Sequence, residues 1–154
     1  MDIDQNIIAN LINTFSQTLE MFDLSSADAR LFTILYLNHQ PMTLDEMSQT
    51  TGKSKTTVNT GIRNLSDLNL VKQVWKKGVR KDLYTTDHAL YQCFMSTYIN
   101  KWLGHTVNQE ESLAKIKAQL ASQYKDELIV NKLNEMIAFH TSLKNSFAQM
   151  KPTT

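Results

Sequence analysis

The sequence predicts a mostly α-helical protein that carries one small β-hairpin. Three observations predict it. Apolar residues recur at three- and four-residue steps along most of the 154 residues. Helix breakers are scarce, with 2 prolines and 4 glycines. A single stretch, "VKQVWKKGVRKDLYTT", turns instead to β-branched and aromatic residues around a short glycine-containing connection, which is a hairpin signal.

The first helix is expected from about Asp4 to Phe22, with Ile8, Leu11, Ile12, Phe15, Leu19 and Phe22 on one face. Ser25 or Ser26 caps a second, bearing Ala29, Phe32, Leu35 and Tyr36, and "HQP" ends it because proline disfavours helix just before itself. In "TLDEMSQTTG", Thr43 and Glu46 form a capping box and Gly52 suits a left-handed C-terminal cap. Another helix follows almost at once, capped by Ser54, with Val58, Ile62, Leu65 and Leu68 on its apolar face. Thr56, Thr60 and Arg63 lie opposite, flanked by Thr57, Asn59 and Asn64. After the hairpin, Asp87 caps a helix carrying Tyr91, Phe94, Met95, Tyr98 and Trp102, and Gly104 is expected to break it. Two more helical stretches follow: one with Leu113, Ile116, Leu120 and Tyr124, the other with Leu133, Met136, Ile137, His140, Leu143 and Phe147.

Composition narrows the function. Hydrophobic content of 42% and charged content of 20% fit a globular chain. The start, "MDIDQN", lacks the basic region of a secretory signal, and the longest apolar run, "LFTILYL", is too short to span a bilayer, so no membrane partner is expected. Cys93 is the only cysteine, which rules out an internal disulfide and leaves it as a small buried hydrophobe. A cytoplasmic location is the expectation. His39, His88, His105 and His140 are scattered without metal-ligand spacing. With no glycine-rich phosphate loop and no nucleophile motif, neither an enzyme nor a cofactor or metal is expected.

The charge is uneven. Between Lys53 and Lys81 stand eight bases (Lys53, Lys55, Arg63, Lys72, Lys76, Lys77, Arg80 and Lys81) against one acid, Asp67. That local +7 sits on a chain whose net charge is +1, so the remainder sums to −6. Such an excess is the footprint of a polyanion site.

A short helix, a tight turn, a second helix and a two-stranded hairpin make a winged helix-turn-helix. The DNA major groove admits one helix, entered by the N-terminal end of the second helix of the pair. That end offers Lys53, Ser54, Lys55, Thr56, Thr57, Asn59, Thr60 and Arg63. Asn59 suits an adenine, and Arg63 a guanine or a phosphate. Gly78 makes the turn of the wing, whose Lys76, Lys77, Arg80 and Lys81 meet phosphates or the neighbouring minor groove. Arg80 is the first candidate for the minor groove.

The stretches "PMTLDEM", "GKSKTTVNTGIRNL", "LNLVKQVW" and "KKGVRKDLY" resemble the MarR superfamily, and within it the GbsR branch of bacterial transcriptional repressors. The resemblance covers about Leu35 to Asp87. It implies a homodimer on a palindromic operator of double-stranded DNA, with N- and C-terminal helices of two subunits interlocked. The expected divisions are a dimerisation helix over residues 1–24, the winged helix-turn-helix over 25–87, and a helical effector and dimerisation region over 88–154. Some members of the branch control uptake or synthesis of glycine betaine and respond to choline, which the resemblance carries over as an expectation. Trp75, Tyr91, Phe94, Tyr98 and Trp102 supply the aromatic faces that a quaternary ammonium ligand needs, though aromatics at helical spacing also serve as plain core. The sequence departs from the family at Val79: MarR-like wings often place there an aspartate that orients the wing arginine. Two other readings stand beside this one: a regulator with a different effector or none, and a winged-helix module that binds protein rather than DNA.

Overall fold

The computed structural model describes residues 4–86, 89–123 and 126–152. The expected Asp87 cap, and with it His88 and Tyr124, lie outside the described residues. The chain forms two compact units, Met1–Cys93 and Phe94–Thr154.

In the first unit, α1 (Gln5–Glu20) is capped by the Asp4 carboxylate, which accepts from the Asn6 N–H at 3.0 Å. Ser25 caps α2 (Ser26–Leu37) by accepting from the Asp28 N–H at 3.1 Å. The short α3 (Leu44–Thr51) and the longer α4 (Lys55–Asp67) follow, then the antiparallel strands β1 (Val71–Val74) and β2 (Leu83–Thr86). Their register pairs Val71 with Thr86 and Val74 with Leu83.

The core of this unit gathers apolar residues from each of these elements. Phe32, Leu35, Met47, Ile62, Leu65 and Leu70 are almost wholly removed from water. Thr33 is buried among them, and its hydroxyl donates to the Ala29 carbonyl at 2.8 Å, so the polar group is not left unpaired. Met42, just before α3, exchanges backbone hydrogen bonds of 2.9 Å in both directions with Tyr84 on β2. That bridge anchors the entry of α3 to the wing.

The helix α5 (Leu90–Gln123) starts in the first unit and continues into the second. The expected break at Gly104 does not occur. Glycine in a helix costs only about 1 kcal/mol relative to alanine, and the backbone at Gly104 keeps a negative φ, unlike Gly52 and Gly78. The Thr106 hydroxyl donates back to the Trp102 carbonyl at 2.7 Å, within the same unbroken helix. Asp126 caps the last helix, α6 (Glu127–Met150), accepting from the N–H groups of Leu128 and Ile129. Within this unit α5 and α6 run antiparallel. Trp102 meets Phe147, and Glu110 accepts from Lys144 at 3.1 Å.

Candidate nucleic-acid interface

The helix pair is set by its caps. The Thr43 hydroxyl accepts from the Glu46 N–H at 3.1 Å while the Glu46 carboxylate accepts from the Thr43 N–H at 3.4 Å, completing the capping box. Gly52 ends α3 at φ 71°, a conformation that side chains with a Cβ rarely adopt. Two bonds stiffen the turn: the Ser48 hydroxyl donates to the Lys53 carbonyl, and the Lys53 N–H to the Thr51 hydroxyl. Ser54 then caps α4, accepting from the Thr57 N–H at 3.1 Å.

The buried face of α4 is Val58, Gly61, Ile62 and Leu65. It seats closely on α2: a Cβ on Gly61 would lie 2.8 Å from Leu31 Cδ2 and 3.0 Å from Asp28 Oδ1. One turn on, the Asn64 side chain donates to Asp28 Oδ2 at 3.0 Å. Lys55, Thr56, Thr57, Thr60 and Arg63 of α4 are exposed to solvent, next to exposed Lys53 and Ser54 in the turn. Asn59 is half-buried on the flank.

The wing turns at Gly78, with φ 83°, closed by the Val79 N–H donating to the Lys76 carbonyl at 3.1 Å. Lys76, Lys77, Arg80 and Lys81 are all exposed. The wing is tied back to the helix pair by an acid that sequence reasoning did not single out. Asp45, in the first turn of α3, meets Lys55 at 3.2 Å with one carboxylate oxygen and Lys81 at 2.8 Å with the other. Hydrogen bonds first from Lys81 and then from Lys55 hold its carboxyl below the ordinary value of 3.8. The same ion pair raises Lys81 above its ordinary 10.5. On β2, burial pushes the Tyr84 hydroxyl up, the Asp82 charge adds to this, and Arg63 partly offsets it. Helix-dipole complementarity was the one sequence signal at Asp45; its two partners lie 10 and 36 residues away along the chain.

The aromatic candidates divide between the units. Trp75 and Tyr91 belong to the first, 80% and 67% exposed. Phe94, Tyr98 and Trp102 belong to the second, where α5 strings them together with ring centroids 6.2 and 5.9 Å apart. Phe147 of α6 continues the row at 5.8 Å from Trp102. Phe94 and Tyr98 are buried; Trp102 is about one-third exposed. Among the described residues, no three His, Cys, Asp or Glu side chains are grouped to hold a metal ion, and no helix is long and apolar enough to cross a membrane.

Residues 19–93, which take in the helix pair and the wing, match the family described as the sugar-specific transcriptional regulator TrmB. A putative HTH-type transcriptional regulator of Bacillus subtilis, YvaV, is 32% identical over 131 residues, covering 83% of this chain and 74% of YvaV. The chain belongs to the family of HTH-type transcriptional regulators that includes YvaV. The repressor GbsR of the same organism is 28% identical over 142 residues, covering 90% of this chain and 77% of GbsR. The repressor OpcR, also of Bacillus subtilis, is 37% identical over 102 residues, and the matched part spans 66% of this chain but 55% of OpcR. A crystal structure described as a transcriptional regulator superposes with a TM-score of 0.66 at 13% identity, covering 92% of this chain and 93% of the other, which supports the winged-helix fold.

Proposed function

We propose that this GbsR-like regulator is a homodimeric repressor that binds a palindromic operator in double-stranded DNA. The carrying observation is the set of exposed bases on α4 and the wing, Lys55, Arg63, Lys76, Lys77, Arg80 and Lys81, with Lys55 and Lys81 brought together on the Asp45 carboxylate. The α4 side chains are assigned to base edges and phosphates of the major groove, and the wing bases to flanking phosphates and the minor groove. Apolar side chains left in water support self-association: Ile7 and Leu11 on α1, and Leu128, Ile129, Met136 and Phe139 on α6. Cytoplasmic action on DNA follows from this role.

The effector assigned is choline or a similar quaternary ammonium compound, and the regulated genes those of glycine betaine uptake or synthesis. The row Phe94, Tyr98 and Trp102 supports this, because a quaternary ammonium group offers no N–H and is held through aromatic faces. Ligand binding shifts the dimer towards a state whose recognition helices no longer match the operator, by as much as its affinity for the two states differs. The test is a gel-shift titration on the DNA upstream of this protein's own gene, with and without millimolar choline. A specific shift abolished by choline is expected. A specific shift that ignores choline removes the choline assignment and keeps the repressor.

A further inference from the structure

We infer that Trp75 is a DNA-contacting residue of the wing, its indole lying against the sugar walls of the minor groove, and not a wall of an ammonium pocket. The inference rests on the DNA-binding reading above and adds an uncharged contact to it.

Trp75 is 80% exposed, and Val79 across the wing loop is 36% exposed. The exposed indole is free to meet a partner, and tryptophan suits partners that are apolar at one side and polar at the edge. Its surroundings select that partner. Trp75 and Val79 line an open recess of about 550 Å³ together with Lys76, Arg80 and Lys81. Asp82 also lines it, but its carboxylate is engaged by the Gln73 amide at 2.9 Å. Lys76, Arg80 and Lys81 outnumber Asp82 in this lining, and although Lys81 is also paired with Asp45, the remaining positive excess favours a phosphate backbone over a quaternary ammonium ion.

The geometry of the loop fits a groove rather than a flat surface. β1 ends at Val74 and β2 begins at Leu83, so the intervening residues form a wide tip outside the ladder, turned at Gly78. The minor groove is narrow, its walls are deoxyribose, and its floor carries adenine N3 and thymine O2 acceptors. The indole ring matches the walls and its N–H the floor, while Arg80 and Lys76 meet the phosphates on either side. Proteins that enter this groove pair apolar wedges with basic side chains in the same way.

The test uses the protein's two tryptophans. Intrinsic emission is recorded for the wild type and for Trp75→Phe as DNA from upstream of the gene is added, with binding followed separately by anisotropy of labelled DNA. The wild type is expected to show a DNA-dependent emission change that Trp75→Phe lacks. Trp75→Ala is expected to weaken binding roughly tenfold, as truncating a tryptophan that anchors an interface does. Its dependence on salt should stay as in the wild type, because no charge is removed. An identical emission change in both proteins, with DNA bound, overturns the assignment. So does a change in the Trp75 share of the emission on adding choline without DNA, which would move the residue into the pocket. Absence of any DNA binding by anisotropy removes the underlying reading itself, an outcome distinct from the other two.

Discussion

The Lys81 ammonium donates to the Asp45 carboxylate at 2.8 Å, joining the base of the wing to the first turn of α3. The other oxygen of Asp45 holds Lys55 at the start of α4. One acid therefore ties together α3, α4 and the wing. At Val79, where the resemblance to MarR-like wings leads one to expect an aspartate, this chain has none, and it is Asp45 of α3 that holds Lys81.

Replacing Asp45 by asparagine should loosen the wing while removing a negative charge from the basic face. The expected result is roughly two- to fivefold tighter binding to random duplex DNA and a smaller ratio of specific to random affinity. Gel shifts on upstream and scrambled duplexes measure both. An unchanged ratio would deny the brace a part in recognition.

The pH dependence follows from the two shifts. Asp45 is depressed in the folded protein, so its contribution is present above the ordinary 3.8 and is lost as the pH falls through the lower folded value. Lys81 is raised, so its contribution is complete below 10.5 and fades only as the pH rises past the raised value. The brace is therefore intact from roughly pH 5 to 9. A carboxyl titration by NMR should place the Asp45 midpoint below 3.8 and return it towards that value in Lys81→Met. A wild-type midpoint at or above the ordinary value would contradict the ion pair in solution.

Gly61→Ala should destabilise the first unit. Alanine favours helix by about 1 kcal/mol over glycine, but the added methyl would meet buried Leu31 at 2.8 Å and Asp28 at 3.0 Å. Overpacking of this kind costs about 1–3 kcal/mol, so a net loss of about 1 kcal/mol is expected. Thermal unfolding reads it as a lowered Tm. A raised Tm would mean that α2 and α4 are less closely seated.

Trp102→Ala should leave DNA affinity within about twofold of wild type and remove the response to choline. A gel shift with choline present decides it. A normal response would take Trp102 out of the effector site.

The local devices of the fold were legible because each is written within a few residues. Thr43 with Glu46, Gly52, Ser54 and Gly78 all act where the spacing predicts. The error at Gly104 has a physical source. A glycine terminates a helix by adopting positive φ, and the residue type alone does not reveal whether it does so; Gly104 stays helical. The candidate interface was legible in its cations, which cluster along the chain. It was not legible in Asp45, whose partners become neighbours only once α3, α4 and the wing are folded together. Nor did periodicity distinguish Trp75, which stands in water, from Phe94 and Tyr98, which are buried on α5.

The central claim is that the α4 face and the wing neutralise DNA phosphates. Its most direct test is the affinity for the upstream DNA as a function of salt, for the wild type and for a Lys76→Ala/Lys77→Ala variant. A steep fall with salt is predicted for the wild type. In the variant the log–log slope should be shallower by up to about 0.9 for each phosphate that the two lysines no longer neutralise. A response flat in salt, or the same slope in both proteins, would contradict the account.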